Sequence, residues 1–494
     1  MIHIGKRKFS ANATFVPINT TIHLSMRHLI LVLALTSTAH AASLWPQFRG
    51  PSGNSVAAGE QPPAELDTAK NLLWQATVPG GTSSPVIVGD RVFLTGFANG
   101  KLVTFALNRA DGSIAWRHEI APEKIETFME KYNSPAAATC ATDGERVVSY
   151  FGSYGLTCFD RDGKQLWEVK LPVVQSKDGF GSGSSPIVHD GLVYLQRDED
   201  GPGSGLYAFD VKTGAEVWKQ SRKDFRVSYG TPAVWDGTLA VLGDSRAKGY
   251  DLKTGEERWL VRGLSAYPCT TPTTGADGNL YLATWSPGGS PEETMPSYDG
   301  FLKMMDKDTD GRISRAETEG TPMKDFFDIQ DKDRSGFMER SEWEENLAWW
   351  KRGKNAVLAV KPGGRGDITD THVLWSNDKG VPYVASPLYY DGKLFLVKDG
   401  GLATLYDAAS GKLLYEKERL GVPGEYYVSP TYVAGRIYLG ATAGTLLVLD
   451  AKATDKPAVL AKLNLGEYLA ASPAFADGKI YVRTKEKLFA FGVK

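Results

Sequence analysis

The feature that most constrains this chain is a phrase that recurs eight times. Each copy has a Ser-Pro or Thr-Pro pair, a short apolar run, a turn rich in Gly and Asp, and a second apolar run. Most copies start 40 to 51 residues apart, which is the length of one four-stranded propeller blade. The repeat therefore predicts an all-β, eight-bladed β-propeller. The copies begin at Ser84, Ser134, Ser185, Thr231, Thr271, Ser386, Ser429 and Ser472.

The two ends of the repeat array complement each other. The last copy contains three predicted strands, and a strand pattern around Trp74 precedes the first copy. Pairing that early strand with the last blade closes the ring and leaves no long exposed strand edge. The sequence therefore predicts a propeller that spans 71–296 and 351–494 and is closed by its N-terminal strand. Residues 42–70 are expected to form an extended segment before it.

One aromatic residue recurs at a fixed position of the predicted outer strand. A large ring at one position in every blade can pack between neighbouring sheets and bury much apolar surface. We therefore interpret this set as structural. Its members are Trp116, Trp167, Trp218, Trp259, Trp375 and Tyr415.

Composition and charge narrow the class of protein. The chain has 53 Gly, 26 Pro and 11% aromatic residues, which suits short strands joined by tight turns. The formal net charge is −2, from 56 basic and 58 acidic residues. A nucleic-acid-binding protein is expected to carry a basic patch or stripe. The charge balance therefore argues against a nucleic-acid partner.

The N-terminal region has the pattern of an export signal. Residues 1–25 are interpreted as an upstream extension, and 26–41 as a signal peptide with an apolar run and an Ala-His-Ala cleavage site. The apolar run is too short to cross a membrane. We therefore expect a periplasmic or secreted protein without a membrane span after cleavage. An uncleaved signal anchor is the alternative.

The three cysteines are predicted to be buried free thiols. Cys140 and Cys158 fall on the first and third strands of one predicted blade, about 9.6 Å apart. A disulfide needs Cα atoms within about 7 Å. The third cysteine, Cys269, lies far away in the sequence.

The interval from Thr271 to Ser386 is 115 residues long and contains a predicted α-helical insertion at 297–350. DKDTDGRISRAE at Asp306–Glu317 matches the EF-hand calcium loop throughout, and DKDRSGFMERSE at Asp331–Glu342 matches it with one serine in place of an acid. Such loops wrap six to eight oxygen ligands around Ca²⁺. The expected ligands are Asp306, Asp308, Asp310, the Arg312 carbonyl, Glu317, Asp331, Asp333, Ser335, the Phe337 carbonyl and Glu342.

The insertion is expected to be a small module held out to solvent. Its predicted core combines Phe301, Leu302, Phe326 and Phe327 with side chains of the last helix, Trp343 and Leu347. The alternative interpretation is an acidic surface loop that binds no ion.

Aromatic residues also recur just before the predicted inner strands, which surround the propeller axis. They should therefore gather at one mouth of the central channel and could bind a flat ligand, a peptide or a sugar. The alternative is that they cap neighbouring blades. The set is Tyr132, Phe180, Tyr229, Tyr267, Tyr383, Tyr427 and Tyr468.

The repeat resembles that of a known family. The motif YAFDVKTGAEVW at 207–218 and the opening WPQFRGPSGNSVA at 45–57 are similar to the pyrroloquinoline quinone (PQQ) type propeller repeat of exported bacterial proteins. That superfamily includes quinoprotein dehydrogenases and BamB, an envelope scaffold of outer-membrane assembly. The resemblance covers most of 71–494 outside the insertion and implies the propeller fold rather than one activity.

The resemblance leaves three functions open. Quinoproteins of this family stack PQQ between a Trp and a disulfide of adjacent cysteines, whereas this chain has no adjacent Cys pair and no C-x-x-C-H haem motif. We therefore expect calcium, not PQQ, as the bound cofactor. The favoured function is an exported calcium-binding scaffold with a protein or glycan partner in the cell envelope. The alternatives are a PQQ-dependent quinoprotein oxidoreductase with a divergent site and a carbohydrate-binding propeller.

Overall fold

The computed structural model describes residues 44–176, 178–223, 225–289 and 295–493. The predicted upstream extension and signal peptide, 1–25 and 26–41, lie outside the described residues. The described residues form eight antiparallel blades, which confirms the predicted all-β, eight-bladed propeller. None of the helices they form is both long and apolar enough to cross a membrane.

The first half of the ring follows two short N-terminal strands. In chain order the strands are β1 (Leu44–Trp45) and β2 (Leu72–Thr77); β3 (Val86–Val88), β4 (Arg91–Ala98), β5 (Lys101–Asn108) and β6 (Ile114–Ile120) in blade 1; β7 (Ala141–Thr142), β8 (Arg146–Phe151), β9 (Gly155–Asp160) and β10 (Gln165–Lys170) in blade 2; β11 (Ile187–His189), β12 (Leu192–Arg197), β13 (Gly205–Asp210) and β14 (Glu216–Ser221) in blade 3; and β15 (Ala233–Trp235), β16 (Thr238–Gly243), β17 (Arg246–Asp251) and β18 (Glu257–Arg262) in blade 4.

Blade 5 is interrupted between its second and third strands, where the insertion leaves and re-enters the sheet. In chain order this region contains β19 (Thr273–Thr274), β20 (Leu280–Thr284), α1 (Tyr298–Met305), β21 (Ile313–Ser314), α2 (Arg315–Thr318), a 3-10 helix (Pro322–Phe326), α3 (Phe327–Gln330), β22 (Phe337–Met338), α4 (Arg340–Trp350), β23 (Ala356–Val360), β24 (Gly366–Asp367), α5 (Thr369–His372) and β25 (Val373–Asn377).

The last three blades return to the regular pattern. They consist of β26 (Leu388–Tyr390), β27 (Lys393–Lys398), β28 (Leu402–Asp407) and β29 (Leu413–Arg419); β30 (Thr431–Val433), β31 (Arg436–Ala441), β32 (Thr445–Asp450) and β33 (Val459–Asn464); and β34 (Ala474–Ala476), β35 (Lys479–Arg483) and β36 (Lys487–Phe491).

Burial along the strands explains their composition. The second and third strands of a blade lie between two neighbouring sheets, so β5 is buried at six consecutive positions from Leu102 to Leu107. Such strands read as continuous apolar runs. Outer strands such as β14 are mostly exposed, with Trp218 as the buried position. The core is therefore a ring of interfaces between blades.

The N-terminal strand completes the last blade. β2 pairs antiparallel with β36, with Leu72 opposite Phe491 and Thr77 opposite Lys487. The indole N–H of Trp74 donates a hydrogen bond to the Arg109 carbonyl of blade 1 at 2.9 Å. The first strand thus joins blade 8 to blade 1, as the sequence predicts.

The Ser and Thr residues of the repeated phrase form a closed ring of hydrogen bonds. In each blade the backbone N–H of this residue donates to the side-chain hydroxyl of its counterpart in the next blade, at 2.9–3.2 Å. The last member, Ser472, donates to the first, Ser84, at 3.0 Å. We name this set the hydroxyl ring. Its members are Ser84, Thr139, Ser185, Thr231, Thr271, Ser386, Ser429 and Ser472.

Blade 2 corrects one predicted register. Its ring member is Thr139, five residues after the predicted start at Ser134. The Ser134 hydroxyl instead accepts a hydrogen bond from the Ala136 N–H at 3.1 Å. Because the ring uses only the hydroxyl and the N–H of its own members, the following proline is dispensable, and Cys140 occupies that place.

Four of the five recurring Trp residues dock their blade onto the next, as the structural interpretation predicts. The Trp218 indole N–H donates to the Leu252 carbonyl at 3.0 Å. Its ring covers Gly255, where an added Cβ would come within 2.6 Å of the indole. Gly255 has φ +72°, so the turn needs glycine for both its conformation and the contact. Equivalent bonds join Trp116 to Arg161, Trp167 to Val211 and Trp375 to Ala408.

Trp259 is the exception, because the following blade is irregular. Its indole N–H donates to Thr238 Oγ1 within its own blade at 3.0 Å. β24 instead adds a parallel strand to the outer edge of β18. Ile368, which follows β24, is buried in the same apolar cluster as Trp259.

The opening motif crosses the propeller axis. Arg49 is fully buried and donates hydrogen bonds to Thr273 Oγ1 at 3.0 Å and to the Pro387 carbonyl at 2.5 Å. These partners follow the hydroxyl-ring residues in the chain, whereas the predicted aromatic set precedes them. Arg49 therefore lies on the opposite side of the hydroxyl ring from the aromatic residues.

All three cysteines are free thiols. Cys140 and Cys158 are buried as predicted, but Cys269 is only partly buried because it faces the central cavity. The expectation of three buried thiols is therefore wrong for Cys269.

Candidate functional site

A cavity of about 380 Å³ lies on the propeller axis. Its wall includes seven of the eight hydroxyl-ring residues, and Phe48 of the opening motif contributes to it. Five of the seven predicted aromatic residues also line the cavity and define what we name the channel mouth. They are Tyr132, Phe180, Tyr229, Tyr383 and Tyr427.

The other two predicted aromatic residues do not line the cavity. Tyr267 is buried, and its hydroxyl lies 2.8 Å from that of Tyr229. Tyr468 is partly buried at the edge of blade 8, outside the cavity wall. Tyr267 and Tyr468 therefore do not belong to the cavity wall, and whether they cap neighbouring blades stays a prediction.

The insertion lies against the channel mouth rather than out in solvent. Phe326, from the 3-10 helix, stacks on Tyr132 at 6.0 Å between ring centroids and contacts Phe180 at 6.2 Å. The Lys131 ammonium forms an ion pair with Asp325 at 2.6 Å. Phe326 is itself part of the cavity wall. The insertion therefore covers one side of the channel mouth.

A second contact seats the final helix of the insertion. Trp349 of α4 packs edge-on against Tyr267 at 5.5 Å, and the Arg226 guanidinium lies over the Trp349 ring at 4.1 Å. Both partners belong to the loops before the inner strands of blades 4 and 5. The expectation that the insertion projects into solvent is therefore wrong, because aromatic side chains bury their surface against the propeller.

The core of the insertion differs from the predicted one at Phe326. Phe327 is buried inside the module, whereas Phe326 points to the propeller and Leu302 is only partly buried. Phe301 and Trp343 stack with centroids 4.1 Å apart. The buried core consists of Tyr298, Phe301, Met305, Ile313, Phe327, Met338, Trp343 and Leu347.

The first acidic loop brings three carboxylates together. Oxygens of Asp306, Asp308 and Glu317 lie within 4.8 Å of one another. Burial raises the pKa of Glu317, but N–H donors of Ser314 and Lys307 outweigh it and lower the pKa overall. The cluster thus offers carboxylate oxygens, which are the ligands that a hard cation prefers.

The turn of this loop has the geometry that its residues require. Gly311 has φ +83°, and its N–H donates to Asp306 Oδ2 at 3.0 Å. Asp310 lies outside the cluster, because its carboxylate accepts from the Arg312 N–H at 2.8 Å and faces the Arg312 guanidinium.

The second acidic loop repeats this arrangement. Oxygens of Asp331, Asp333 and Glu342 lie within 4.8 Å of one another. The Gly336 N–H donates to Asp331 Oδ2 at 2.9 Å. Ser335 lies outside the cluster and donates its hydroxyl to the Phe337 carbonyl at 3.2 Å.

The two loops are joined to each other. β21 and β22 pair antiparallel, with Ile313 opposite Met338. The Arg312 guanidinium lies 3.8 Å from the centre of the Phe337 ring. The two loops are therefore in direct contact.

Sequence reasoning missed the charged part of the cavity wall. Asp399 and Glu425 line the cavity from blades 6 and 7. Burial raises the pKa of Asp399 to about 6, although the Tyr426 N–H, which donates to it at 2.7 Å, acts in the opposite direction. In the sequence Asp399 stands beside two glycines, so its pattern is that of an ordinary hairpin turn.

Comparisons with known proteins place this fold in a family. Residues 99–262 and 299–493 match the family described as outer membrane protein assembly factor BamB. The chain belongs to this family. The two matched ranges together cover well over half of the chain.

Relatives in this family share only part of their length with the chain. BamB of Burkholderia pseudomallei (strain K96243) is 29% identical over 176 residues, which is 35% of this chain and 41% of the relative. BamB of Alkalilimnicola ehrlichii is matched over a similar share, 39% of its length. The chain therefore spans about two fifths of the curated relatives that it matches.

Solved structures show the same fold at low sequence identity. BamB from Moraxella catarrhalis superposes with a TM-score of 0.53 at 14% identity, covering 85% of this chain and 98% of that one. A quinohemoprotein alcohol dehydrogenase from Pseudomonas putida gives a TM-score of 0.55 at 14% identity, covering 91% and 80%. Proteins with different roles thus share this architecture, so the fold alone does not assign an activity.

Proposed function

We propose that this protein is an exported, calcium-binding propeller that acts as a binding and assembly scaffold in the cell envelope, in the periplasm or outside the cell. Its membership of the BamB family carries this proposal, because members of that family are named for outer-membrane protein assembly. The closed hydroxyl ring supports it, because a rigid ring presents binding loops with little loss of conformational freedom on association.

Calcium is proposed to occupy the two acidic loops of the insertion. Each loop supplies converging carboxylates, a glycine with positive φ at the turn, and a glutamate at the twelfth position. That donor set fits Ca²⁺, which takes carboxylate and carbonyl oxygens in flexible coordination. When bound, the ion would neutralise each cluster and hold the loops together. Its role is structural, because extracellular calcium modules bind at about 10⁻⁴–10⁻³ M.

The scaffold role is tested by in vivo crosslinking of the tagged, full-length protein in its native host. The crosslinked envelope fraction is purified under denaturing conditions, and captured proteins are identified by mass spectrometry. We expect outer-membrane assembly proteins to be enriched over a tagged periplasmic control. Recovery of the protein from the cytosol, or an envelope sample without such proteins, would contradict the proposal.

A quinoprotein oxidoreductase is the second candidate, favoured by the shared fold of the alcohol dehydrogenase and by the axial cavity. The side chains of the cavity fit PQQ poorly. PQQ carries three carboxylates, whereas the charged residues among the described cavity-lining positions are Asp399 and Glu425, which repel anions. Cys269 is a single free thiol in that wall. Titration of the purified protein with PQQ and calcium, followed by absorbance, should give no stoichiometric complex.

A further inference from the structure

The charge of the central cavity is one-sided. Among the described residues that line it, the charged side chains are both carboxylates, Asp399 and Glu425. The remaining wall consists of aromatic rings, hydroxyl groups, Asn133 and small apolar residues. An electronegative pocket with aromatic walls favours a positively charged ligand.

The two carboxylates stand side by side on one wall. Asp399 lies between β27 and β28 of blade 6, and Glu425 lies in the loop that leads into blade 7. Asp399 accepts a hydrogen bond from the N–H of Tyr426, the residue after Glu425, at 2.7 Å. Adjacent blades thus place both acids at the same level of the channel mouth.

Aromatic rings face the carboxylates across the channel. Tyr132 and Phe180 belong to blades 2 and 3, which lie four positions away from blades 6 and 7 in a ring of eight. Phe326 of the insertion stacks on Tyr132 and extends this aromatic wall. A cation that enters can therefore pair with carboxylates on one side while its apolar stem contacts rings on the other.

We propose that the channel mouth binds a ligand through an ammonium or guanidinium group, which pairs with Asp399 and Glu425 while Tyr132 and Phe326 contact its stem. This inference deepens the proposed binding role and rests on it. Two sources carry this chemistry: a Lys or Arg side chain of a partner protein, and a free organic amine. PQQ and other anions are excluded by the same charges.

The acidity of Asp399 gives the site a pH dependence. Burial, together with the negative charge of Glu425, raises the pKa of Asp399 to about 6, although the Tyr426 N–H and the Lys398 ammonium act in the opposite direction. Asp399 is therefore ionised at pH 7.5 and largely protonated at pH 5. Binding of a cationic ligand should weaken as the pH falls through 6.

The test is isothermal titration calorimetry of the full-length protein with matched probes. The cationic probes are benzylamine and an acetylated, amidated Gly-Lys-Gly peptide; the neutral ones are benzyl alcohol and the same peptide with norleucine. We expect the cationic probes to bind at least about tenfold more tightly at pH 7.5, because hydrogen bonds to charged groups are stronger than those between neutral groups. Tighter binding of the peptide identifies a protein side chain as the source, and tighter binding of benzylamine a free amine.

Variants assign the effect to the two acids. The double variant Asp399→Asn/Glu425→Gln should weaken cationic probes at least about tenfold and leave neutral probes unchanged. Glu418→Gln, on the exposed face of β29 in blade 6, is the matched control and should bind as the wild type does. Circular dichroism checks that each variant is folded. If a variant does not fold, the comparison of cationic and neutral probes on the wild-type protein still tests the proposal.

Equal affinity for neutral and cationic probes, or unchanged affinity in the double variant, would overturn the proposal. So would binding of a cello-oligosaccharide in the absence of amine binding. Failure of amine binding with retained capture of assembly proteins in the envelope would remove this inference and leave the scaffold role intact. Amine binding without capture of assembly proteins would contradict the scaffold role and leave the cation-binding inference intact.

Discussion

At the scale of single residues, the propeller depends on one contact repeated around the ring. An indole on the outer strand donates to a carbonyl in the turn of the next blade and covers a glycine there, as Trp218 does with Leu252 and Gly255. This contact joins neighbouring blades far from the propeller axis. Near the axis, the hydroxyl ring already joins them. The spacing of the aromatic residues predicted this role from sequence alone, because the period of the repeat fixes which strand carries the aromatic side chain.

We predict that Trp218→Ala lowers the free energy of unfolding by about 3–5 kcal/mol, because it removes a buried indole and leaves a cavity between blades 3 and 4. Val217→Ala, at the exposed neighbouring position (48% exposed), is the matched control and should change it little. Chemical denaturation followed by fluorescence measures both. Equal effects of the two substitutions would contradict the docking role.

A buried carboxyl group gives the fold its own pH dependence. Glu126 is 2% exposed, and burial raises its pKa to about 7, although the Ser182 N–H and hydroxyl that donate to it act in the opposite direction. The pKa of Glu126 is higher in the folded protein than in the unfolded protein. The contribution of Glu126 to the free energy of unfolding is therefore present below pH 4.5 and is lost as the pH rises through about 7.

Replacing Glu126 with Gln should remove this loss of stability at rising pH. A rise in pKa from 4.5 to about 7 corresponds to roughly 3 kcal/mol between these two pH values. Denaturation curves of Glu126→Gln and of the exposed control Glu123→Gln, recorded across this range, test the sign. A wild-type-like pH dependence in Glu126→Gln would show that other groups cause it.

At the scale of elements, the insertion combines two acidic loops with a docking surface. Sequence patterns located the loops to the residue, because the ligand spacing is local. They could not place Phe326, because its sequence offset matches that of Phe301 in the other half. The choice between module core and channel mouth depends on the surface that blades 2 and 3 present, which lies far away in the chain.

We predict that Glu317→Gln and Glu342→Gln each weaken calcium binding at their own loop by at least about tenfold, because each removes a bidentate charged ligand. The propeller should stay folded, since its hydroxyl ring does not involve the insertion. Isothermal titration with calcium measures the effect. Glu344→Gln, on the exposed face of α4, is the control, and an absence of calcium heat in the wild type would rule out the ion sites.

At the scale of the whole molecule, the insertion packs against the propeller at the channel mouth. On one side of the hydroxyl ring, Arg49 of the opening motif bonds to blades 5 and 6. On the other side, the insertion covers part of the channel mouth through Phe326. The number of blades and the closure of the ring could be predicted from the sequence, because local turn and strand signals recur at a nearly fixed period. The acids Asp399 and Glu425 could not be assigned in advance, because only ring closure brings blades 6 and 7 opposite blades 2 and 3.

The most direct test is hydrogen exchange of the full-length protein, measured by mass spectrometry with saturating calcium and with a chelator. We predict that calcium slows exchange in both acidic loops, 306–317 and 331–342, and also in the propeller segment around Tyr132 that contacts Phe326. Identical exchange of these segments under the two conditions would contradict the proposal that calcium occupies the two acidic loops and holds them together.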